Sequence, residues 1–366
     1  MPTCFEPFAS SLMSLDNRLV LAPMTTYSSH ENGEIRDTEL AYLERRAAAG
    51  FGMTMTAACY VHKTGHAFPG QWAASDDRFL PSLKAVAEAI HRGGSSAVLQ
   101  IHHGGRACSA SLCGEVLSAS DVPAERPNAE TPRSMNHGEI ETMIRSFAEA
   151  ARRGRDAGFD GIEIHGANTY LLQQFVSPHS NRRTDEWGRD RLKFSREVVG
   201  AVLAAVGPDY PVGYRLSPEE KEVPGIRLPD TLALIEMLCQ FPLAWLHISL
   251  SDLRQSSLVG DFTEPTLELV AKAIAKRIPL IGVGSVKTRE DADACLAMGA
   301  DLVAVGRAAI IEPDWPRVVR DGLSRRLKFP RQGAERDLVL PAGLANRVLS
   351  VPGWFEIEEE VPLTTP

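Results

Sequence analysis

The sequence predicts an α/β protein folded as a (β/α)8 TIM barrel. Eight short apolar runs of strand length alternate with amphipathic helical segments, and no linker interrupts the alternation. Such alternation implies a parallel sheet, and eight repeats favour closure into a barrel over an open doubly wound sheet. The strand-like runs are Leu19 to Ala22, Met53 to Ala58, Ala97 to His102, Gly161 to His165, Val212 to Ser217, Trp245 to Ser249, Leu280 to Ser285 and Leu302 to Arg307. Helices are expected at Asp37 to Ala49, Leu80 to His91, Glu139 to Ala157, Arg191 to Val206, Pro229 to Gln240, Thr266 to Arg277 and Thr288 to Met298. Asn136 and Glu139 form a capping box, while Gly158, Gly299 and the Gly93-Gly94 pair stop helices where a left-handed residue is easily adopted.

Alternation within the strands sorts their faces. On the third strand Leu99 and Ile101 oppose Gln100 and His102. On the fifth, Val212, Tyr214 and Leu216 oppose Gly213, Arg215 and Ser217, and on the seventh Ile281 and Val283 oppose Gly282 and Gly284. The expectation is an apolar outer layer and an interior given over to a ligand at the C-terminal mouth, since a fully packed barrel would be mostly Val, Ile and Leu inside. Gly104 to Asn136, rich in Ser, Ala, Glu and Pro, reads as a long excursion over the mouth after the third strand, in the manner of a lid. The whole chain, residues 1–366, is expected to form a single domain, with the barrel core at about 16–326 and a C-terminal extension at about 327–366. Trp354 and Phe355 in that extension cover the mouth, serve a subunit contact or pack on the barrel's side; the sequence leaves these open.

Composition bounds the chemistry. Hydrophobic residues at 44% and charged residues at 23% describe a globular protein with a large core, and the net charge of −8 argues against a nucleic-acid partner held by phosphate contacts. MPTCFEPFAS lacks a basic region followed by an apolar one, and no run approaches the ~20 apolar residues of a membrane helix, so a cytoplasmic protein without a membrane partner is expected. The six cysteines show neither CxxC pairs nor a metal-ligand rhythm and are expected to be reduced, and no metal site is expected.

Candidate site residues collect at strand ends. The stretch FDGIEIHGANTYLLQQFVSPHSNRRTDEWGR holds His165, Asn168 and Tyr170 where a βα loop begins, the place of catalytic residues in such barrels. Gly282-Val283-Gly284-Ser285 and Gly306-Arg307 follow the last two strands and make a phosphate-binding pair of loops. An inward Arg215 requires an anionic or electron-rich neighbour, which a reduced flavin supplies. Gln100 offers a donor and an acceptor to the pyrimidine edge of such a ring, although taken alone it reads equally well as a satisfied core amide.

These motifs together carry a resemblance. LVLAPMTTYSSHENG, LQIHHGGR, HGANTYLLQQFVSPHSNRRTDEWG, VGYRLSPEE, IGVGS and ADLVAVGR occur in the order and approximate spacing of the old yellow enzyme family of FMN-dependent NAD(P)H oxidoreductases, over about Asp16 to Pro313. The resemblance implies FMN as cofactor and NADH or NADPH as hydride donor. It places Pro23, Met24 and Thr25 beside the flavin at the end of strand one, Ala58 as the small residue at the end of strand two, and Gln100 at the pyrimidine edge. Arg215 matches the cation beside N1 and C2=O, and Gly284, Ser285, Gly306 and Arg307 match the phosphate cradle. His165 and Asn168 match the pair that binds the substrate's activating oxygen, Tyr170 the proton donor, and Tyr27 a substrate-side tyrosine. The implied reaction is ping-pong hydride transfer to the activated C=C bond of an α,β-unsaturated carbonyl or nitro compound. The alternatives are a flavin reductase acting on quinones, dyes or dioxygen, and a flavin-binding sensor without turnover.

Departures also stand out. One branch of the family has Cys where this chain has Thr25 yet keeps the tyrosine matching Tyr27, so the chain mixes features of two branches. Gly188-Arg189 replaces a glycine pair, and Arg347 answers by position alone to a tail arginine that some relatives insert into a neighbouring subunit. The oligomeric state, a homo-oligomer included, stays open.

Overall fold

A computed structural model describes residues 2–359. Eight parallel strands close into a barrel among the described residues: β1 (Leu19–Leu21), β2 (Met53–Met55), β3 (Ser96–His102), β4 (Gly161–Gly166), β5 (Val212–Leu216), β6 (Trp245–Ile248), β7 (Leu280–Val283) and β8 (Leu302–Val305). Each pairs with its sequence neighbours, and β8 pairs with β1 to complete the ring. The main helices are α1 (Asp37–Ala47), α2 (Leu80–Arg92), α3 (His137–Asp156), α4 (Lys193–Val206), α5 (Leu228–Leu238), α6 (Thr266–Ile274), α7 (Arg289–Ala297), α8 (Trp315–Arg320) and α9 (Ala342–Ser350). The capping box of α3 is made as expected: Asn136 Oδ1 accepts from Glu139 N at 3.0 Å, and Glu139 Oε2 accepts from Asn136 N at 2.7 Å.

Period-two alternation sets the layers on most strands. Leu99 and Ile162 point outward against α3, so closely that a Cβ on Gly154 would come within 2.9 Å of both side chains. The opposite face of β4 and β6 carries Glu163, His165, Trp245 and His247 into the barrel. The lower interior is apolar, with Val20, Met53, Met55, Val98, Trp245, Ile281, Leu302 and Ala304 packed together and capped by Phe8 and Leu15 of an N-terminal hairpin. Trp245 occupies the space left by two glycines, since a Cβ on Gly213 would lie 2.0 Å from its indole and one on Gly161 3.1 Å away. Cutting such a buried indole to Ala costs about 3–5 kcal/mol.

That plug corrects the expected facing of the seventh strand. Ile281 belongs to the inner plug and Val283 lines the mouth, whereas Gly282 faces outward: a Cβ there would meet Cys295 Sγ of α7 at 2.4 Å and Leu267 of α6 at 3.4 Å. Glycine marks the outer face here because two helices press directly on the strand. A polar or glycine position is therefore not by itself an inward one.

The C-terminal extension folds back over the mouth. Buried Arg46 of α1 ties it down, donating from Nη2 to Leu338 O (3.0 Å) and from Nη1 to Val339 O (3.3 Å). Phe329 and the Glu356–Glu358 segment exchange backbone hydrogen bonds of 2.7 and 2.9 Å, which brings Trp354 and Phe355 back to the barrel. All six cysteines are free; Cys108 and Cys113 pack with Val116 in the excursion after β3, where Cys113 Sγ donates to Glu115 O at 3.2 Å. Among the described residues no helix is long and apolar enough to cross a membrane, and no cluster of His, Cys, Asp and Glu could hold a metal ion.

Candidate functional site

Two clefts open at the C-terminal end of the barrel. The first, about 660 Å³, is lined by Pro23 and Met24 after β1, Arg215 of β5, Gly284 and Ser285 after β7, Gly306 and Arg307 after β8, and Trp354 and Phe355 of the extension. Lys287, Arg307, Arg325 and Arg326 make its wall strongly basic, against a single carboxylate, Glu356, among the described lining residues. Arg307 Nη2 donates to Ser285 Oγ at 2.6 Å, and Ser285 Oγ donates to Ser251 O at 2.8 Å, so the two loops are joined. Gly284 is required where it stands. Its φ is +145°, and a Cβ would come within 2.5 Å of Leu253 N.

Beneath this cleft lies a buried network centred on Glu163. Its carboxylate accepts from Gln100 Nε2 (2.7 Å), Trp245 Nε1 (2.9 Å) and His247 Nδ1 (2.9 Å). Burial pushes the Glu163 carboxyl up, but the bonds from His247 and Trp245 and the charge of Arg215 outweigh it and hold the group below the ordinary carboxylate range. Because an ionised carboxylate only accepts, the Gln100 amide nitrogen must face it, and Oε1 is the end left free. Arg215 is buried, which lowers its pKa against the opposing pull of Glu163. Its Nη2 donates to Ser249 Oγ (3.2 Å), while Nε has no partner. A buried guanidinium with an orphaned N–H, lining a cleft, is set to receive an electron-rich group.

The same chain of bonds orients the candidate oxygen-binding pair. Ser249 Oγ donates to Asn168 Oδ1 at 3.0 Å, leaving the Asn168 Nδ2 hydrogens available. His165 Nδ1 accepts the Ala167 N–H at 3.3 Å, so the neutral ring carries its proton on Nε2. Burial, with His102, Arg215 and His247 nearby, holds the His165 pKa well below its usual value and keeps that ring neutral. Asn168 and Thr169 both adopt left-handed backbone, with φ of 57° and 63°. Two adjacent non-glycine residues in that region are strained by about 1–3 kcal/mol each, a cost that recurs at functional turns. Tyr170 follows, edge-on to His102 at 4.3 Å and to His165 at 5.2 Å between ring centroids. Burial pushes its phenol up to about 12, helped by Tyr27 and Cys108 and opposed by Arg126 and Arg215.

Tyr170 opens onto the second cleft, about 600 Å³, shared with Tyr27, Phe68, Arg126 and Arg347. The loop bearing Tyr27 is fastened by Glu39 of α1, which accepts from Thr26, from Ser29 Oγ (2.8 Å) and from Trp72 Nε1 (2.6 Å). Tyr27 itself has a φ of 53° and packs on Gly343 of α9.

The structure thus brings together at the first cleft Pro23, Met24, Arg215, Gly284, Ser285, Gly306 and Arg307, with Gln100 below. His165, Asn168 and Tyr170 stand beside them, and Tyr27 lies across the second cleft. Thr25 and Ala58 neighbour the site without lining either cleft. Sequence reading missed the roles of Glu163, Trp245, His247 and Ser249. Alternation puts Glu163 on the face of His165 and could have turned Trp245 and His247 inward with it, but Ser249 required the structure.

Residues 3–326 match the family model described as the NADH:flavin oxidoreductase / NADH oxidase family. The chain belongs to this family. It is 40% identical to the probable NADH-dependent flavin oxidoreductase YqiG of Bacillus subtilis, over 97% of this chain and 98% of that one. It is 41% identical to the NADH:acrylate oxidoreductase of Vibrio harveyi over 83% of its own length, but spans only 31% of that larger protein. Among solved structures, morphinone reductase in complex with tetrahydroNAD superposes with a TM-score of 0.77 at 27% identity, covering 89% of this chain and 92% of that one. The old yellow enzyme homologue from Zymomonas mobilis gives 0.77 at 25% identity, covering 88% and 94%. As a member of this flavin oxidoreductase family, the protein is an FMN-dependent NAD(P)H oxidoreductase. Its first cleft fits that cofactor on its own evidence. The cations and joined loops at one end suit a phosphate, and the orphaned Arg215 Nε with the free Gln100 Oε1 suits the polar edge of a flavin ring.

Proposed function

We propose that the protein reduces activated C=C bonds of α,β-unsaturated carbonyl or nitro compounds with electrons from NADH or NADPH, its whole length working as one FMN-binding unit. Bound in the first cleft, FMN would supply the hydride-transfer chemistry that the side chains lack. Arg215 and Gln100 would hold and polarise its ring, and Arg307 and Ser285 would hold its phosphate.

One observation carries the reading of the substrate side. The bonds from Ala167 N and Ser249 Oγ occupy the acceptor atoms of His165 and Asn168, which leaves each residue its N–H donors. Two such preorganised donors suit an oxygen on which negative charge develops, and removing one typically costs about 10²–10³-fold in rate. Tyr170, protonated throughout the working pH range, delivers the proton to the carbon that becomes carbanion-like.

Separate measurement of the two half-reactions tests this. In Tyr170→Phe, reduction of the flavin by NADH should remain near the parent rate, while reoxidation by an enone should fall by ~10²–10⁴-fold, as for loss of a general acid. A nitroalkene should be largely spared, because its nitronate product is stable without the proton. Enone reduction at the parent rate would remove Tyr170 from the reaction.

A further inference from the structure

The second cleft has a charge pattern that the alkene chemistry does not use. Arg126, from the excursion after β3, and Arg347, from α9, stand on its lining together with Tyr27 and Tyr170. No carboxylate appears among its described lining residues, and neither arginine has an ion-pair partner among the described residues. Arg126 is instead pinned from Nη2 to two backbone carbonyls, Ala107 O at 2.9 Å and Cys108 O at 3.4 Å. Arg347 lies over the Tyr27 ring, 5.6 Å from its centroid. Each guanidinium is therefore held by neutral partners with its full charge uncompensated. Most other arginines of this chain, whose net charge is −8, face a carboxylate. Two unpaired cations at the entrance of a pocket in an otherwise acidic protein concentrate anions there.

We propose that this mouth is a subsite for an anionic group, a carboxylate or a phosphate, carried by one of the two reactants that share the site. The inference rests on the alkene-reductase reading above and narrows it: the favoured reactant holds its reacting end at His165, Asn168 and Tyr170 and its charged end between Arg126 and Arg347. Guanidinium suits this task because its planar fork can bind a carboxylate or phosphate through two parallel hydrogen bonds.

Matched pairs of reactants on the holoenzyme test it. The acceptor pair is 4-(2-nitrovinyl)benzoate and its methyl ester, which differ by one charge far from the nitro group. The donor pair is NADH and the uncharged 1-benzyl-1,4-dihydronicotinamide. For each pair the ratio of second-order rate constants, charged over neutral, is compared between the parent, Arg126→Gln and Arg347→Gln, so that any general loss from misfolding cancels. The ratio should drop about 5-fold per arginine, as expected for one partly exposed charge-assisted pair, and in the parent it should fall as ionic strength rises. A drop confined to the acceptor pair assigns the anion to the alkene, one confined to the donor pair assigns it to the dinucleotide phosphates, and a drop in both assigns the subsite to both reactants. Ratios unchanged in both variants for both pairs overturn the proposal. A parent enzyme that oxidises NADH yet reduces neither nitroalkene would instead overturn the alkene reading, and the donor pair alone would then decide the role of the arginines.

Discussion

Glu163 governs what the floor of the first cleft presents, although it reaches neither cleft. Its carboxylate binds the amide nitrogen of Gln100 and so fixes which end of that amide is free, and its negative charge lies near the Arg215 guanidinium. Replacing it by Gln would keep the volume, remove the charge and permit the Gln100 amide to turn. With the anion gone, Arg215 acts unopposed, which favours the more negative, reduced form of a flavin above it. Glu163→Gln should therefore raise the flavin reduction potential, on the order of 30 mV for a tenfold change in equilibrium. Arg215→Ala should lower the potential and slow reduction, whereas Arg307→Ala, on the phosphate side, should weaken FMN retention and leave the potential nearly unchanged. Dye-equilibration titration with FMN release measured in parallel would check all three. A potential that stays put or falls in Glu163→Gln would show that this carboxylate does not tune the ring.

At the scale of elements, the sequence was most readable where burial is two-sided and least readable where contacts are distant in the chain. Each of the eight strands lies within or close to its apolar run, and α3 begins at the capping box formed by Asn136 and Glu139, because those signals are local. The seventh strand has its faces exchanged relative to the expectation from alternation. Glycine at 282 gives no hydrophobic signal, and only the approach of Cys295 and Leu267 reveals that it faces the helices. The extension was illegible for a related reason: its docking depends on Arg46, some 290 residues earlier in the chain, and on one glycine. Gly343 N donates to Ser28 Oγ at 2.9 Å, and a Cβ on Gly343 would lie 2.0 Å from Tyr27 O. Gly343→Ala must therefore push α9 off the Tyr27 loop. If α9 shapes the substrate cleft, the variant should raise the KM for an enone about tenfold or more, one order for each ~1.4 kcal/mol of lost binding, while FMN content is retained. A lower melting temperature with unchanged KM would mean that α9 only braces the barrel.

For the whole molecule, the concentration of neutral imidazoles at one end of the barrel links stability to pH. His102, His103 and His165 are buried, and burial holds all three below the ordinary histidine range, with His102 pushed down to about 3. In the unfolded chain the same groups titrate near 6.5. Above that pH both states are neutral and the histidines leave stability unaffected. Below it the unfolded chain binds protons that the folded one refuses, so stability is lost as pH falls from about 6.5 toward the depressed folded values. Each histidine contributes a slope of roughly 1.4 kcal/mol per pH unit in that window, so three give about 4 kcal/mol per unit, a large fraction of the ~5–15 kcal/mol that holds a typical protein folded. The carboxylates that the fold holds below their ordinary range, Glu163 among them, add their losses only at lower pH, near and below about 4. The holoenzyme should therefore keep a nearly constant melting temperature from pH 8 to 7, lose it steeply between pH 6.5 and 5, and release FMN over the same interval, since His165 is the register partner of Arg215, which lines the first cleft. Urea titrations at pH 7.5, 6.5 and 5.5, with flavin fluorescence followed alongside, would measure the slope. Unfolding free energies that agree at pH 7.5 and 5.5 would mean that the mouth admits protons without opening, and that these imidazoles are not held neutral by burial.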